Sequence, residues 1–333
     1  MTTNRWLDAM HAAVASAIAL VLAAPPLDAQ AQPAKWPEKP VRIVAAGPAG
    51  GSADIVAHLL ADNLAKELGH PVYAEPKPGA GGVLAVNDLG QAPHDGHTLL
   101  VGVNSLVSEI PHIVKLRVDM AKEIKPVVEV ARGGLVMVAA PSVPAKKFSE
   151  LVSWVKANPG RVNYASYSAG TLSHVMGLQL NQAAGLDMTH VGYKGSTPAL
   201  TDVMGGHVPL MFDGLATSLP LIKSGKIKVF AVSTPKRSPM LPDVPTFSEL
   251  GYPTLEAIGW MGLWVKPDVP APVQARLREA TLQVLAQPAV RERLQEIGFE
   301  VGQPRTPEEL AKSLSEDYER TGTVLKSIDF KPE

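Results

Sequence analysis

The feature that most constrains the fold is residues 41–54, which combine a predicted strand, a glycine-rich turn and a helix start. β-Branched residues dominate 41–44, and glycine and proline at 47–51 end the strand. Apolar residues then recur at helical spacing over 55–64. Such a turn leaves backbone N–H groups free at a helix start, where the helix dipole adds positive potential. An anion can therefore dock there.

The kind of anion follows from what this turn contains. It lacks the Gly-x-Gly-x-x-Gly and Gly-x-x-x-x-Gly-Lys-Ser/Thr patterns of nucleotide-binding loops. Asp54 at the helix start would repel a diphosphate while it caps the helix. A carboxylate fits better, held by backbone N–H groups and the Ser52 hydroxyl. The alternative is a strand–helix turn that binds nothing, which is common in α/β folds.

Composition narrows the class of protein. The chain has 333 residues, enough for two domains, and its 46% hydrophobic content and formal charge of −1 are ordinary for a globular protein. There is no basic excess and only 5% aromatic residues, which argues against a nucleic-acid partner. The absence of cysteine excludes disulfides, thiolate metal ligands, a cysteine nucleophile and a lipid-modified cysteine anchor.

Residues 1–31 are typical of a secretory signal peptide. Arg5 precedes a largely apolar run over 12–24, and small residues follow, so cleavage is expected after Ala29 or Ala31. The run is shorter than the roughly 20 residues that a membrane span needs. An uncleaved anchor is the alternative. Export without an anchor favours a closed compartment such as a periplasm.

Strands, turns and helices then alternate along the chain, with a glycine-rich or polar turn after each strand. The turns that follow the predicted strands are 47–52, 76–82, 104–105, 166–171 and 194–198, and Asp213 ends a further strand. Helices dominate the last third of the chain, at 272–285, 289–297 and 306–325. In open α/β sheets ligands bind at the carboxyl ends of strands. Two such α/β units predict two lobes that face each other across a ligand site and close by a hinge.

Few residues fit a catalytic role. The chain has no Gly-x-Ser-x-Gly elbow and no pair of histidines at helical spacing with a glutamate. His174 could act as a base and Lys194 could form a Schiff base, but a structural histidine and a solvated lysine explain both residues. Asp54 and Asp213 at strand ends either accept hydrogen bonds from a ligand or cap a helix or turn.

Several short segments, in this order and spacing, resemble one known family. They are residues 40–44, 50–54, 78–82, 95–100, 190–195, 205–208 and 241–246. Over nearly all of its mature length the chain resembles the Bug/TctC family, the extracytoplasmic solute receptors of tripartite tricarboxylate transporters.

The resemblance implies an α/β, two-lobed periplasmic-binding-protein (Venus flytrap) fold, in which each lobe is a mostly parallel sheet flanked by helices. The expected division is 36–132 for the first lobe, 133–250 for the second, and 251–333 for a return to the first lobe with the C-terminal helices. The lobes would close on a small carboxylated solute, held by amides and hydroxyls of the strand-end loops and by bridging waters. The residues assigned to the solute by resemblance are Gly50, Gly51, Ser52, Asp54, Gly79, Ala80, Gly81, Ser166, Ser168, Thr171 and Asp213.

The chain departs from the family pattern at several positions. Ala49 replaces the usual proline of the first turn, and Gly47 replaces a common aromatic residue, which is expected to widen the mouth of the cleft. His58 stands where arginine or a similar residue is common. His97 replaces the usual tyrosine, and Gly192 the usual proline.

The sequence therefore predicts a periplasmic solute-binding protein, monomeric and without cofactor, metal or catalysis. It would present a small carboxylate to the membrane subunits of a tripartite tricarboxylate transporter. One alternative is an orphan sensor whose ligand feeds a signalling partner. Another is an exported enzyme with Lys194 or His174 in the cleft. Dicarboxylates, tricarboxylates, acidic amino acids and aromatic acids all remain open as solutes.

Overall fold

The computed structural model describes residues 36–327 and 330, so the predicted signal peptide, 1–31, lies outside the described residues. The described residues from 39 onward form one compact unit. The strands are β1 (Val41–Ala45), β2 (Val72–Pro76), β3 (Thr98–Val103), β4 (Lys125–Gly133), β5 (Leu135–Ala139), β6 (Val162–Ser166), β7 (Met188–Gly192), β8 (Leu210–Gly214), β9 (Lys228–Val232), β10 (Gly259–Val265) and β11 (Glu300–Val301).

The helices lie between and after these strands. They are α1 (Ser52–Leu68), α2 (Val83–Gln91), α3 (Ser105–Ser108), α4 (Ile110–Ile113), α5 (Met120–Glu123), α6 (Phe148–Lys156), α7 (Leu172–Ala184), α8 (Ser196–Met204), α9 (Leu215–Lys223), α10 (Ala271–Ala286), α11 (Pro288–Glu296) and α12 (Pro307–Ser327). Short 3₁₀ turns occupy Ala80–Gly82 and Pro253–Leu255. None of the helices in the described part of the chain is both long and apolar enough to cross a membrane.

The strands of residues 36–327 form two sheets. The first has the order β11-β4-β10-β3-β1-β2, and the second has the order β7-β6-β8-β5-β9. β1 pairs in parallel with β2 and β3, and β6 pairs in parallel with β7 and β8. The loops that follow these strands therefore gather at one edge of each sheet.

Both sheets are mixed rather than mostly parallel, which corrects that detail of the prediction. β10 is antiparallel to β3 and β4, and β5 is antiparallel to β8 and β9. These strands flank the two places where the chain passes between the sheets. A single residue, Gly134, separates β4 from β5. β5 and β10 are the first strands after these two passages, and each is antiparallel to a neighbouring strand, β8 or β3, whose carboxyl end lies at the loops.

The inner strands of both sheets are apolar and buried on both faces, whereas the edge strands β2 and β7 are largely exposed or half-buried. Every residue of β5 is buried, and β3 and β8 are buried along most of their length. Such continuous apolar runs are typical of sheets with helices on both sides. Tyr164 and Phe212 fill the core of the second sheet, and Trp264 packs in the core of the first.

The predicted start of the last helix is confirmed in detail. Thr306 and Glu309 form a reciprocal capping box, with Thr306 N donating to Glu309 Oε2 at 2.7 Å and Glu309 N donating to Thr306 Oγ1 at 3.2 Å. Pro307 occupies the first helical position, where a missing N–H costs no hydrogen bond. This cap fixes where α12 begins.

Candidate functional site

One cavity lies between the loops of the two sheets. Residues that follow β1, β2 and β3 in the first sheet and β6, β7 and β8 in the second all line it. Its volume is about 950 Å³, counting the part open to solvent. A concave site lined by loops of two facing sheets is a typical place for a small organic ligand to bind.

Five helices of nine or more residues begin at this cavity: α1, α2, α7, α8 and α9. None of the five has a side-chain hydrogen bond at its N-cap. The N-cap residues, all of which line the cavity, are Gly51, Gly82, Thr171, Gly195 and Gly214. The first amides of a helix have no intrahelical acceptor, and the dipole adds positive potential there. The cavity therefore has a positive field without a cluster of cationic side chains, which favours an anion.

The first turn is held together by its own polar groups. Gly51 N donates to Pro48 O at 3.0 Å, and Gly50, with φ of 70°, donates its N–H to Asp54 Oδ2 at 2.8 Å. Asp54 is only 8% exposed and does not line the cavity, and neither does Gly50. Gly51 and Ser52 do line it. Asp54 thus stabilises the turn on the side away from the cavity, whereas Gly51 and Ser52 face the cavity.

The second turn uses an unusual backbone. Gly79, Ala80, Gly81 and Gly82 all have positive φ, at 124°, 47°, 65° and 97°. Glycine accepts these values without a Cβ penalty, which explains the composition of the turn. Gly79 and Gly81 line the cavity, whereas Ala80 does not.

The third turn lies between β6 and α7. Thr171 Oγ1 donates to Ser168 O at 2.7 Å, and both residues line the cavity. Ser166 is fully buried behind them, and its Oγ shares a hydrogen bond of 2.7 Å with His190 Nε2. Tyr167 also lines the cavity, and its pKa is raised by burial and by the nearby carboxyl of Glu109. Its hydroxyl therefore stays protonated, and it is hydrogen-bonded to Thr171 and to the backbone of Ser173.

His174 belongs to the core and does not line the cavity. Its ring stacks on His190 at 3.6 Å between centroids, and Gly170 N donates to His174 Nδ1 at 3.3 Å. Burial lowers the pKa of His174 to about 3, with the neighbouring ring of His190 adding to the effect, and burial lowers the pKa of His190 to about 4. Both rings are neutral near pH 7. His174 is thus a hydrogen-bonded structural residue.

Asp213 is fully buried behind the loops. Ser196, Thr217 and Ser218 donate their hydroxyls to its carboxylate at 2.5, 2.6 and 2.7 Å. Burial raises its pKa, while these hydrogen bonds act in the opposite direction. Asp213 does not line the cavity. It ties the starts of α8 and α9 together, and so positions their N-termini.

The remaining wall was not predicted from the sequence. It comes from the two passages between the sheets and from the segment before β11, and its members are Ala131, Gly133, Gly134, Leu135, Gly259, Trp260, Met261 and Phe299. Glycines that interrupt otherwise apolar strands, at 133–134 and 259, are the sequence signal that could have identified it. Lys194 also lines the cavity and is exposed. The other described residues that line the cavity have uncharged side chains.

The loops of the two sheets touch each other around this cavity. A Cβ placed on Gly195 would lie 2.3 Å from Pro48 Cδ, and one on Gly81 would lie 3.2 Å from Ser168 Oγ. Thr197 Oγ1 also donates to Ala49 O at 3.4 Å. These contacts show a closed arrangement of the loops.

The positions that depart from the family pattern have different surroundings. Gly47 lines the cavity, and within 4 Å a Cβ there would meet Ala53 Cβ at 3.7 Å, an ordinary contact. His58 lies along α1, where its Nδ1 and Asp54 O are 3.0 Å apart. His97 is buried, Gly192 is exposed, and neither residue lines the cavity. No group of three or more metal-ligating side chains occurs in the described part of the chain.

The chain is similar to a known protein family and to several solved structures. Residues 56–330 match the model of the tripartite tricarboxylate transporter family receptor, TctC. A solved periplasmic transporter is 36% identical, with a TM-score of 0.84 over 89% of this chain and 99% of that one. The periplasmic binding protein BugD is 31% identical, with a TM-score of 0.84 over 90% and 100%.

A third solved structure holds a ligand. MatC from Rhodopseudomonas palustris, with bound malate, is 33% identical to this chain, with a TM-score of 0.80 over 87% of this chain and 100% of MatC. These similarities confirm the α/β two-lobed periplasmic-binding-protein fold predicted from the sequence. The chain belongs to the TctC/Bug family, the receptors of tripartite tricarboxylate transporters.

Proposed function

We propose that this protein captures a small carboxylated solute in the periplasm and presents it, without chemical change, to the membrane subunits of a tripartite tricarboxylate transporter. The observation that carries the proposal is the convergence on one cavity of five helix N-termini whose N-cap side chains make no capping hydrogen bond. A carboxylate there would gain several charge-assisted hydrogen bonds from backbone amides. The related protein MatC binds malate, which is a small carboxylate.

The eleven residues predicted from the sequence fall into two groups with different proposed roles. Six of them line the cavity and are proposed to contact the solute or its bridging waters: Gly51, Ser52, Gly79, Gly81, Ser168 and Thr171. The other five lie behind the lining and are proposed to shape the loops: Gly50, Asp54, Ala80, Ser166 and Asp213.

The proposed mechanism is closure of two lobes over the solute. The division into 36–132, 133–250 and 251–333 is consistent with the distribution of strands between the two sheets. The chain would flex near Gly134 and before β10, where it passes between the sheets. A solute that touches both sets of loops stabilises the closed form, because it makes those contacts only there. The membrane subunits would recognise that form, with one receptor chain acting as a monomer after removal of 1–31.

Binding of carboxylates can be tested by thermal unfolding. A panel of small carboxylates, each paired with its neutral amide, is added to the purified protein. A carboxylate at 100 times its dissociation constant should add about 2.7 kcal/mol to the free energy of unfolding and raise the Tm, whereas its amide should not. Failure of every carboxylate to raise the Tm would contradict the proposal.

A matched pair of variants locates the site. Ser168→Ala removes a hydroxyl from the cavity lining and should weaken carboxylate binding about tenfold, the effect of losing one hydrogen bond to a charged group. Ser315→Ala removes a hydroxyl from the exposed face of α12 and should leave the affinity unchanged. Equal affinities for both variants and the wild type, measured by calorimetry, would place the solute elsewhere.

A further inference from the structure

A buried carboxyl lies directly behind the lining of the cavity. Glu109, between α3 and α4, is buried and does not line the cavity, whereas Asn104 and Ser105, about one helical turn before it, do line it. Tyr167, which lines the cavity from the loop after β6, lies close to the Glu109 carboxyl. Glu109 is therefore one layer of side chains away from the space in which we propose that the solute binds.

One hydrogen-bonded path joins Glu109 to the N-terminus of α7. The Ser105 hydroxyl donates to the Glu109 carboxyl, and Ser105 Oγ accepts a hydrogen bond of 3.4 Å from Leu172 N. Leu172 is the first residue of α7, so this path crosses from the loops of the first sheet to those of the second. That N-terminus is one of the five proposed to attract the solute carboxylate. The charge on Glu109 therefore acts on a solute-binding element through a single side chain.

A second path runs from Glu109 through Ser108 to Asn104. Ser108 Oγ is hydrogen-bonded both to Glu109 Oε2 and to Asn104 O, the latter at 2.9 Å. The hydroxyl has one hydrogen, which it can donate to one of these two acceptors at a time. A protonated Glu109 can itself donate to Ser108 Oγ and leave that hydrogen for Asn104 O. The protonated form of Glu109 thus satisfies both contacts, whereas the ionised form competes for the hydrogen.

The charged groups around Glu109 do not fix its charge. Asp317 and Arg320 of α12 act on it in opposite directions and are paired with each other at 2.6 Å. Tyr167, on the side of the second sheet, keeps its proton, and His112 of α4 is directed to a backbone oxygen of α12 at 2.8 Å. Burial therefore dominates and raises the pKa of Glu109 to about 7, against the hydrogen bonds from the two serine hydroxyls. Both protonation states are populated near neutral pH.

We propose that binding of the solute is coupled to the uptake of a proton by Glu109. The inference rests on the proposed function, because the anion that acts on Glu109 is the solute carboxylate. A carboxylate in the cavity and an ionised Glu109 are like charges in a largely buried environment, so the bound solute favours the protonated form. Because the coupling is reciprocal, protonation of Glu109 favours binding of the solute to the same extent. The affinity is therefore highest at low pH and falls as the pH rises and Glu109 ionises.

Calorimetry on the wild-type protein tests the coupling. Malate, adipate, benzoate and hexanoate are titrated in buffers that differ in their ionisation enthalpy, and the acid that binds most tightly is used for the pH series. Near pH 7.5 we expect uptake of about half a proton per bound solute, and at pH 9.5 almost none. The affinity should fall about sevenfold between pH 6.5 and pH 9, a range in which all four acids stay ionised.

The possible results separate this inference from the proposed function. Binding of an acid without proton uptake, and with the same affinity at pH 6.5 and pH 9, overturns the coupling and leaves the proposed function intact. Absence of binding by every acid overturns the proposed function and the coupling with it.

A pair of variants assigns the proton to Glu109. Glu109→Gln has nearly the same size and is neutral at every pH. Proton uptake should therefore disappear, and the affinity should stay within threefold of the wild-type value at pH 6.5 up to pH 9. Glu292→Gln, at an exposed glutamate of α11, is the matched control and should keep the wild-type uptake and pH dependence. Undiminished proton uptake in Glu109→Gln would overturn the assignment. The wild-type titrations decide whether coupling exists even if this variant does not fold.

Discussion

Asp213 shows how a buried carboxylate can organise a cavity without lining it. Its carboxylate is fully buried and accepts hydrogen bonds from three hydroxyls, on Ser196, Thr217 and Ser218. Two of these residues belong to α9 and one begins α8. The hydrogen bonds therefore fix the relative positions of two helix starts at the cavity.

Replacing that carboxylate should destabilise the protein. Asp213→Asn leaves one acceptor oxygen and adds an NH₂ group that faces hydroxyl donors, so we expect a loss of about 2–4 kcal/mol in the free energy of unfolding in urea. Asp243→Asn, at an exposed aspartate, should change it by less than about 0.5 kcal/mol. Similar stabilities for the two variants would show that Asp213 does not organise the loops.

Glu109 is a second buried carboxyl, located between α3 and α4. It is 7% exposed, it accepts a hydrogen bond from Ser108 Oγ, and Asp317 of α12 lies near it. Burial, with a smaller contribution from Asp317, raises the pKa of Glu109 to about 7, against the hydrogen bonds from Ser108 and Ser105. In the unfolded chain the ordinary value is near 4.5. The folded state therefore binds more protons than the unfolded state between these two pH values.

The stability contribution of Glu109 should decline as the pH rises. It is fully present below about pH 4.5 and is lost as the pH rises to about 7, amounting to about 3 kcal/mol across that window. Glu109→Gln removes this titration, so the variant should gain stability relative to the wild type between pH 5 and pH 8 in urea unfolding. Comparing the two proteins at each pH cancels the opposite trend from His174 and His190, whose lowered pKa values reduce stability as the pH falls below 6.5. A constant difference between the two proteins would contradict the assignment.

At the scale of elements, the turn before α8 controls how closely the two sets of loops approach. Gly195 has φ of 124°, and a Cβ on it would lie 2.3 Å from Pro48 Cδ in the turn after β1. No rotation of a side chain can relieve this overlap, because both atoms are fixed to the backbone or to a proline ring. A residue larger than glycine must push the facing turn away.

Gly195→Ala should therefore open the cleft as well as strain the turn. We expect a larger radius of gyration in X-ray scattering and at least a tenfold loss of affinity for the carboxylate that stabilises the wild type most. Gly225→Ala is the matched control, because Gly225 also has positive φ, 69°, but has open space around its Cβ position. It should cost about 1 kcal/mol of stability and leave the radius of gyration and the affinity unchanged. The prediction fails if Gly195→Ala retains the wild-type radius.

The sequence was most informative where one element determines its own structure. The capping residues at 306–309 identify the start of α12, and the alternation of strands with glycine-rich turns predicts loops at one edge of each sheet. It was least informative for β4 and β11, because β4 pairs with β10 and β11 pairs with β4, and these partners are far apart along the chain. Pattern within a short window cannot show which distant strand completes a sheet.

The same distinction applies to the candidate site. Gly51 and Ser52 could be predicted because a turn that exposes amides requires glycine and small polar residues, and Gly81 was predicted from the resemblance to the family. All three residues line the cavity. Asp54 and Asp213 have the same sequence signature, and only the three-dimensional arrangement shows that their side chains point behind the lining. Trp260 lines the cavity at a passage between the sheets, and Phe299 lines it from the segment before β11. No local pattern encodes either position.

At the scale of the whole molecule, the order of strands has a consequence for how the chain folds. β10 lies between β3 and β4 in the first sheet, yet it follows every strand of the second sheet along the chain. The first sheet therefore cannot be completed until the chain has reached β10, which ends at Val265, and β11, which ends at Val301. Its assembly requires contacts between segments that are far apart in sequence. Such topologies fold slowly, because a long loop must close before the pairing energy is gained. A chain that emerges from a ribosome in this order cannot complete its first sheet until late in synthesis, so β3 and β4 lack the strand that joins them, β10, while the whole second sheet is being made.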